Sequence, residues 1–325
     1  MHFSQRVTVT TLFVVGVVVA AAPVSSQNYP ARPVRIVVPN APGSSGDITA
    51  RLIAQPLSER LGQQVVVDNR AGAGTMIGGE IAAKSPPDGY TLLMGFSTLA
   101  INPAIYKKVP YDALRDFAPI TQVVYLPGVL VAHPSLPAKS VKELIALAKA
   151  RPGDIPFASA GRGGYSHLSM ELFISMAGIR MLHVPYKGTG PGVIDLLAGH
   201  VSVSTFNALS AVPHVRSGKL RALGVTSARR AVVLPEVPTI AEAGVPGYET
   251  TQWNGLLAPA GTPREVIARL HKESVAVLGT PDLKERLAKD GAEPVASSPE
   301  EFGAYIRTET VKWAKVVKSA GIQAE

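Results

Sequence analysis

The chain has 325 residues, of which 46% are hydrophobic and 17% are charged, and it contains no cysteine. This composition excludes a disordered polypeptide, a coiled coil, a disulfide scaffold and a cysteine-ligated metal site, and the length suits two domains with a core each. The formal net charge is +8, but the lysines and arginines are scattered along the chain rather than gathered in a stripe. We therefore expect no nucleic-acid partner.

The first 26 residues have the pattern of a secretory signal peptide. Arg6 is the only charged residue before Arg32, and it precedes an apolar run, residues 7–22, that is followed by small residues. The run is shorter than the roughly 18–20 residues that a membrane-spanning helix needs. We therefore predict cleavage after Ser26 and an exported, soluble mature protein.

After the signal peptide, short β-branched runs alternate with helical segments, which is typical of α/β domains with largely parallel sheets. The first strand is predicted at 34–38 and the first helix at 47–61. Further strands are predicted at 64–68, 90–95, 156–159, 181–184, 201–204 and 221–226. The predicted fold class is therefore α/β.

Two long apolar stretches, residues 120–132 and 253–258, lack a helical period. We interpret them as strands that pass between two domains, because a chain that crosses over twice makes one domain discontinuous and leaves a cleft between the two. The predicted organisation is a signal peptide at 1–26, a first lobe at 27–125 and 251–325, and a second lobe at 126–250.

Three glycine-rich turns follow predicted strands and open predicted helices: Pro39–Asp47, Ser159–His167 and His183–Gly192. Turns at the carboxyl ends of parallel strands are the usual ligand position in α/β folds, and the free N–H groups of a helix start attract anions. The first turn lacks the Gly-Lys-Ser/Thr ending of a triphosphate site. Together they indicate a cleft site for a small carboxylate, although the first turn alone is equally consistent with an ordinary helix cap at Ser44 or Ser45.

Motifs for catalysis and for cofactors are incomplete. The segment 72–78 has the glycine spacing of a dinucleotide fingerprint, but residues 68–70 separate it from the preceding strand, so a packing turn is the better interpretation. Ser166 lacks the last glycine of a nucleophile elbow, and the histidines lack metal-ligand spacing. We expect no cofactor and no metal, and His167 is either a structural histidine or a ligand contact.

Ordered motifs run through nearly the whole mature chain. In the first lobe they are Pro33–Pro39, Pro42-Gly43 with Asp47, Val67–Gly74, Pro87–Leu93, Ile101–Pro103, Pro110–Asp112 and Asp116–Pro119. Later in the chain they are His183–Gly188, Asp195–Gly199, Gly218–Leu223, Leu234–Thr239 and Leu256–Pro263. These motifs resemble those of the periplasmic solute-binding proteins of tripartite tricarboxylate transporters, the Bug or TctC family.

The resemblance implies a two-lobed, Venus-flytrap fold that captures a small carboxylate in the periplasm and transfers it to the membrane permease subunits. We expect a monomer without enzymatic activity. In this family, loops of both lobes hold the carboxylate largely through backbone amides and ordered waters. The predicted ligand-binding residues are Asn40, Pro42, Gly43, Ser44, Ser45, Asp47, Ser97, Ser159, Gly163, Ser166, His167, Tyr186, Gly188, Thr189 and Asn207.

Some positions depart from the family pattern. Asn40 stands where an aromatic residue is usual, Ser44 where a second glycine is usual, and Ser202 and Thr205 where acidic residues are common. Loss of the acidic residues favours plain carboxylates over amino acids. Two other functions stay open: a sensor that presents its ligand to a signalling receptor, and a secreted hydrolase that uses Ser166 with His167.

Overall fold

The computed structural model of the protein describes residues 29–186, 188–289, 291–319 and 321–322. The predicted signal peptide, residues 1–26, lies outside the described residues. Across the described part of the chain, no helix is both long enough and apolar enough to cross a bilayer.

Strands and helices alternate as the sequence predicts. The strands are β1 (Val34–Val38), β2 (Val65–Asn69), β3 (Thr91–Phe96), β4 (Phe117–Ala132), β5 (Pro156–Ser159), β6 (Leu182–Pro185), β7 (Val203–Asn207), β8 (Arg221–Val225), β9 (Thr251–Pro259) and β10 (Glu293–Pro294). The helices are α1 (Ser45–Leu61), α2 (Met76–Ala83), α3 (Ser97–Ile105), α4 (Val141–Ala150), α5 (Tyr165–Ala177), α6 (Thr189–Leu197), α7 (Ala208–Arg216), α8 (Arg264–Leu278), α9 (Pro281–Lys289) and α10 (Pro299–Ser319). The predicted first strand matches β1 residue for residue, and the other predicted strands overlap β2, β3 and β5 to β8.

Strand β4 belongs to both halves of the molecule. Its residues 117–127 pair with β9, and its residues 128–132 pair with β7 and β8. The main strand order is β2-β1-β3-β9-β4-β7-β5-β6, with β8 and β10 also paired to β4. We call the part built on β1, β2, β3, β9 and β10 the first lobe, and the part built on β5 to β8 the second lobe.

The strand directions make the two lobes face each other. Strands β1 and β3 are parallel, and both run in the direction of β4 because β9 is antiparallel to β3 and to β4. Strand β7 is antiparallel to β4, and β5 and β6 run parallel to β7. Since β4 passes from the first lobe into the second, the carboxyl ends of the parallel strands in each lobe point at the other lobe.

Each lobe has a core on both faces of its sheet. Alternate residues of β1 and β3 point to opposite sides, so that Met94 packs with α1 and α8 residues while Leu93 packs with α3 and α10 residues. The same alternation divides the second lobe, where Phe157 and Ala158 belong to different clusters. The layers leave the turns at the strand ends free to line a cleft.

A buried network of hydroxyl groups joins the two strand connections between the lobes. Gly128 of β4 donates its N–H to Thr226 Oγ1 at 2.8 Å, and Thr226 Oγ1 donates to the Thr250 carbonyl at 2.7 Å. The Tyr165 hydroxyl of α5 lies 3.1 Å from Thr226 Oγ1 and 3.2 Å from Thr250 Oγ1. The network therefore ties both crossings to the first residue of α5.

Candidate ligand-binding cleft

The first-lobe loop between β1 and α1 is held by its own side chains. Ser44 caps α1 by accepting the Asp47 N–H at 3.3 Å, and Gly43 lies in the left-handed region with φ of 79°. The buried Asp47 carboxylate accepts the Gly43 N–H at 2.9 Å and binds Arg51 at 3.0 Å. These contacts fix the loop and leave the Ser45 N–H without a partner among the described residues.

Asp47 is an internal anion of this loop. Burial alone would raise the pKa of its carboxyl, but hydrogen bonds from Arg51 and the Gly43 amide outweigh burial and lower that pKa below its usual value. Asp47 is therefore ionised at neutral pH and neutralised by Arg51. It acts as a support for the loop rather than as a charge that repels an anionic solute.

The turns after β2 and β3 lie at the same edge of the first-lobe sheet as the loop after β1. Ser97 begins α3, is buried, and accepts the Trp253 N–H at 3.2 Å through its hydroxyl. In the segment 72–75, both glycines and the non-glycine residues Ala73 and Thr75 have positive φ. Gly78 follows in α2, and a Cβ there would lie 2.6 Å from Pro39 Cβ. The segment 72–78 therefore packs closely against the loop after β1. The close approach agrees with a packing turn.

Two stacked histidines support the second-lobe loop between β5 and α5. The rings of His167 and His183 lie 3.9 Å apart, centroid to centroid, at an interplanar angle of 16°. His167 Nδ1 accepts the Gly163 N–H at 3.0 Å, so its ring hydrogen is on Nε2, which faces Glu171. His183 Nε2 lies 2.6 Å from Ser159 Oγ. The two histidines therefore fix the turn at Ser159 and at Gly163.

Ser159 and Ser166 complete this support. Ser159 Oγ accepts the Gly161 N–H at 3.2 Å, and Ser166 Oγ accepts the Ala160 N–H at 2.8 Å. Ser159 is fully buried, and Ser166 is only 5% exposed. Both serines consequently shape the backbone of the loop.

Helices α5 and α6 begin at this edge without a side-chain cap. Gly164 and Gly188 occupy the cap positions, and neither has a side chain that could accept a first-turn N–H. Tyr186, just before α6, donates its hydroxyl to Asp195 at 2.6 Å instead of pointing at a neighbour in the loop. Two uncapped helix starts therefore present amide groups to the cleft, an arrangement that favours an anion.

All predicted site residues except Tyr186 and Asn207 fall into two groups. Asn40, Pro42, Gly43, Ser44, Ser45, Gly188 and Thr189 are exposed or half-buried at the facing edges, whereas Asp47, Ser97, Ser159, Gly163, Ser166 and His167 lie beneath the loop surfaces. Half-buried Asn207 caps α7 and donates its amide to Gln252 of β9 at 3.1 Å. The sequence did not reveal His183, whose role depends on the pairing of Phe157 with His183 across β5 and β6.

Two departures from the family pattern lie in different places. Ser202 precedes β7 and donates its N–H to the Pro156 carbonyl, at the end of the strand opposite the loops. Thr205 is buried and donates its hydroxyl to the Ser166 carbonyl at 3.1 Å. Ser202 is therefore outside the cleft, so its loss of an acid gives no information on ligand selection.

Ser166 and His167 do not form a catalytic pair within the described loops. Ser166 Oγ and the His167 ring bind different backbone amides, and no hydrogen bond joins the two side chains within the described residues. The Ser159–His183 contact has the geometry of a nucleophile and a base, but the Ser159 hydroxyl is buried. Among the residues that the structure describes, no cluster of three or more His, Asp or Glu side chains could hold a metal ion.

The stability of the protein should depend on pH through His183. Burial, the adjacent His167 ring and the Arg162 charge lower the pKa of His183 from 6.5 to about 3. Between these values the unfolded chain binds a proton at this imidazole and the folded chain does not, so stability falls as the pH is lowered. Urea unfolding at pH 8, 6.5, 5.5 and 4.5 measures this fall.

The variant His183→Gln tests the assignment. Its stability should fall less steeply as the pH is lowered from 8 to 4.5, because the variant lacks the imidazole that takes up a proton only in the unfolded chain. Parallel curves over the whole range would show that another group is responsible.

The fold and the site define a class of protein. Two lobes joined by crossing strands, with uncapped helix starts around the cleft, are the architecture of binding proteins that enclose a small solute. The chain belongs to the TctC family: the model described as "Tripartite tricarboxylate transporter family receptor" matches residues 49–322.

Individual relatives agree with this assignment. BugT of Bordetella pertussis is 42% identical over 316 residues, which cover 95% of this chain and 97% of BugT. The structure described as R. palustris Rpa4515 with adipate is 40% identical and has a TM-score of 0.86, covering 91% of this chain and all of that one. MatC from Rhodopseudomonas palustris with bound malate is 33% identical, with a TM-score of 0.81 and coverage of 89% and 100%. The predicted family, fold class and solute-binding role are confirmed.

Proposed function

We propose that the mature protein binds a small carboxylate between its lobes and delivers it to the permease of a tripartite tricarboxylate transporter. The observation that carries this proposal is the pair of uncapped helix starts at α5 and α6, which follow β5 and β6 at the strand ends directed toward the first lobe. The adipate and malate named for two similar structures have the chemistry that such amides favour.

The energetics suit reversible capture. A charge-assisted hydrogen bond contributes about 1.5–3 kcal/mol, and a micromolar complex needs about 8 kcal/mol. A few amides and hydroxyls from each lobe are therefore enough to hold one carboxylate. The solute shifts the lobes toward the closed arrangement because only that arrangement makes all of the contacts.

A thermal-shift screen of residues 27–325 tests the proposal. The panel contains aliphatic mono- and dicarboxylates, aromatic acids and amino acids, and a ligand at 100 times its dissociation constant should stabilise the fold by about 2.7 kcal/mol. Protein unfolded and refolded beforehand controls for solute carried through purification. A response to carboxylates supports the proposal, whereas equal and negligible shifts for every class would contradict it.

Glycines in the turns should control affinity. We expect Gly43→Val and Gly188→Val to weaken carboxylate binding at least tenfold, because each glycine has positive φ, which valine adopts only with strain, and each lies in one of the proposed binding turns with open space around its Cβ. Gly153→Val is the matched control, since Gly153 also has positive φ and open surroundings but lies between α4 and β5. Isothermal titration calorimetry measures the affinities, and equal losses in all three variants would exclude a specific role for the turns.

Export and the membrane partner belong to the same proposal. We expect the chain to lose residues 1–26 and to accumulate in the periplasm as a monomer without catalytic turnover. Mass spectrometry of the periplasmic fraction measures the mature start. Crosslinking in intact cells distinguishes a permease subunit from a signalling receptor, and recovery of the receptor alone would favour the sensor.

A further inference from the structure

Arg162 occupies a corner where the two lobes meet. The Gly164 N–H donates to the Gly161 carbonyl, which closes a turn around Arg162 and Gly163. Gly163 has φ of 72°, the conformation that the third position of a type II turn requires. A Cβ on Gly163 would lie 2.6 Å from Ile105 Cδ1, so the turn contacts the end of α3 in the first lobe.

The guanidinium of Arg162 has no partner among the described residues. Arg162 is exposed and forms no hydrogen bond or ion pair with the described residues through its side chain. The arginines that contact the first-lobe turns are different, since Arg51 binds Asp47 and Arg70 binds Asp68. In the described cleft loops 40–46, 159–166, 186 and 188–189, Arg162 supplies the one fixed positive charge.

The charge of Arg162 acts on the histidine that supports the loop. His183 lies beneath this loop, and after burial and the His167 ring, the Arg162 charge is the third cause that lowers the pKa of His183. Arg162 therefore acts on the same loop whose amides are directed at the cleft. The backbone amides and the guanidinium are two separate anion-binding features on one lobe.

We propose that Arg162 binds a second carboxylate of the solute and makes the protein selective for dicarboxylates over monocarboxylates. This inference rests on the proposed carboxylate-binding function. One carboxylate is held by the helix-start amides, and the planar guanidinium holds the other through two parallel hydrogen bonds. Closure of the lobes removes water from this pair, which strengthens it.

Paired probes of equal carbon number test the selectivity. Adipate is compared with hexanoate, and malate with 2-hydroxybutyrate, by isothermal titration calorimetry on the mature chain after unfolding and refolding. We expect the better-bound dicarboxylate to exceed its monocarboxylate partner at least tenfold in affinity. Arg162→Gln should reduce that ratio to below threefold, and Arg162→Lys should leave an intermediate ratio.

Arg180→Gln is the matched control. Arg180 is an exposed arginine of the second lobe that precedes β6, at the strand end away from the cleft, and its replacement should leave the ratio unchanged. An Arg162→Gln variant that keeps the wild-type ratio, or that loses both members of a pair equally, would overturn the proposal. Tight binding of monocarboxylates alone would also overturn it while preserving the proposed function, whereas binding of neither kind would reject both.

Discussion

Replacing Trp313 with alanine is expected to lower the free energy of unfolding by about 3–5 kcal/mol, the usual cost of deleting a buried aromatic side chain. Trp313 is fully buried in α10, within the core shared by α3 and α10. Its ring also meets the Tyr165 ring of α5 edge to face, with centroids 6.5 Å apart. The change therefore removes packing within the first lobe and between the lobes.

A second contribution is electrostatic. Trp313 Nε1 donates to Glu309 Oε2 at 2.9 Å, and the Glu309 side chain is only 4% exposed. Without the indole, this oxygen loses a buried hydrogen bond, which costs about 1–3 kcal/mol. Trp313→Phe keeps most of the packing but loses the N–H, so it should fall between the wild type and Trp313→Ala.

Urea unfolding followed by circular dichroism at 222 nm measures these differences without relying on tryptophan emission. Equal stabilities of the phenylalanine and wild-type proteins would show that the Glu309 contact contributes nothing. A loss of less than about 1 kcal/mol in the alanine variant would contradict the packing argument itself.

Gly128→Ala is expected to destabilise the protein by about 1–3 kcal/mol through overpacking, although it adds only one methyl group. A Cβ at this position would lie 2.7 Å from Thr226 Oγ1 and 2.7 Å from the Tyr165 hydroxyl. Both groups are fixed in the buried hydroxyl network, so they cannot move without breaking hydrogen bonds. Because the network spans the crossings, carboxylate affinity should fall together with stability.

The control for this prediction is another buried glycine. Gly303 lies in α10, and a Cβ there would meet its nearest neighbour, Pro119 Cγ, at an ordinary 3.5 Å. Gly303→Ala should be neutral or should stabilise the helix by about 0.5–1 kcal/mol. Thr226→Ala removes one of the clashing groups, so the Gly128→Ala/Thr226→Ala double variant should lose less stability than the two single changes together. Strict additivity would argue against the clash.

The sequence predicts the features that are set locally. Two such features are the strand at 34–38 and the glycine turns that follow three of the strands. They can be predicted because strand propensity, helix starts and positive φ depend on neighbouring residues. Amphipathic helices such as α1 are found for the same reason. The three predicted turns are present in the structure, and the assignment of the binding site to them stays a prediction.

Contacts between distant segments could not be predicted in this way. The stack of His167 on His183 depends on the register of β5 against β6, and the bond from Gly128 to Thr226 joins residues 98 positions apart. Ser202 was expected to bear on ligand selection, but it lies at the strand end opposite the loops. A motif position near a strand does not show which end of that strand faces the ligand. Register and direction are tertiary properties that a local pattern does not encode.

Strand β9 has a consequence for the order of folding. It comes from the last quarter of the chain, yet it lies between β3 and β4 and pairs with both of them. Until it arrives, β3 and β4 each expose an unpaired edge, and α10 has no Trp253 or Leu257 to cover. The first lobe therefore cannot be completed until β9 and α10 have been synthesised, after every strand of the second lobe is already available for pairing.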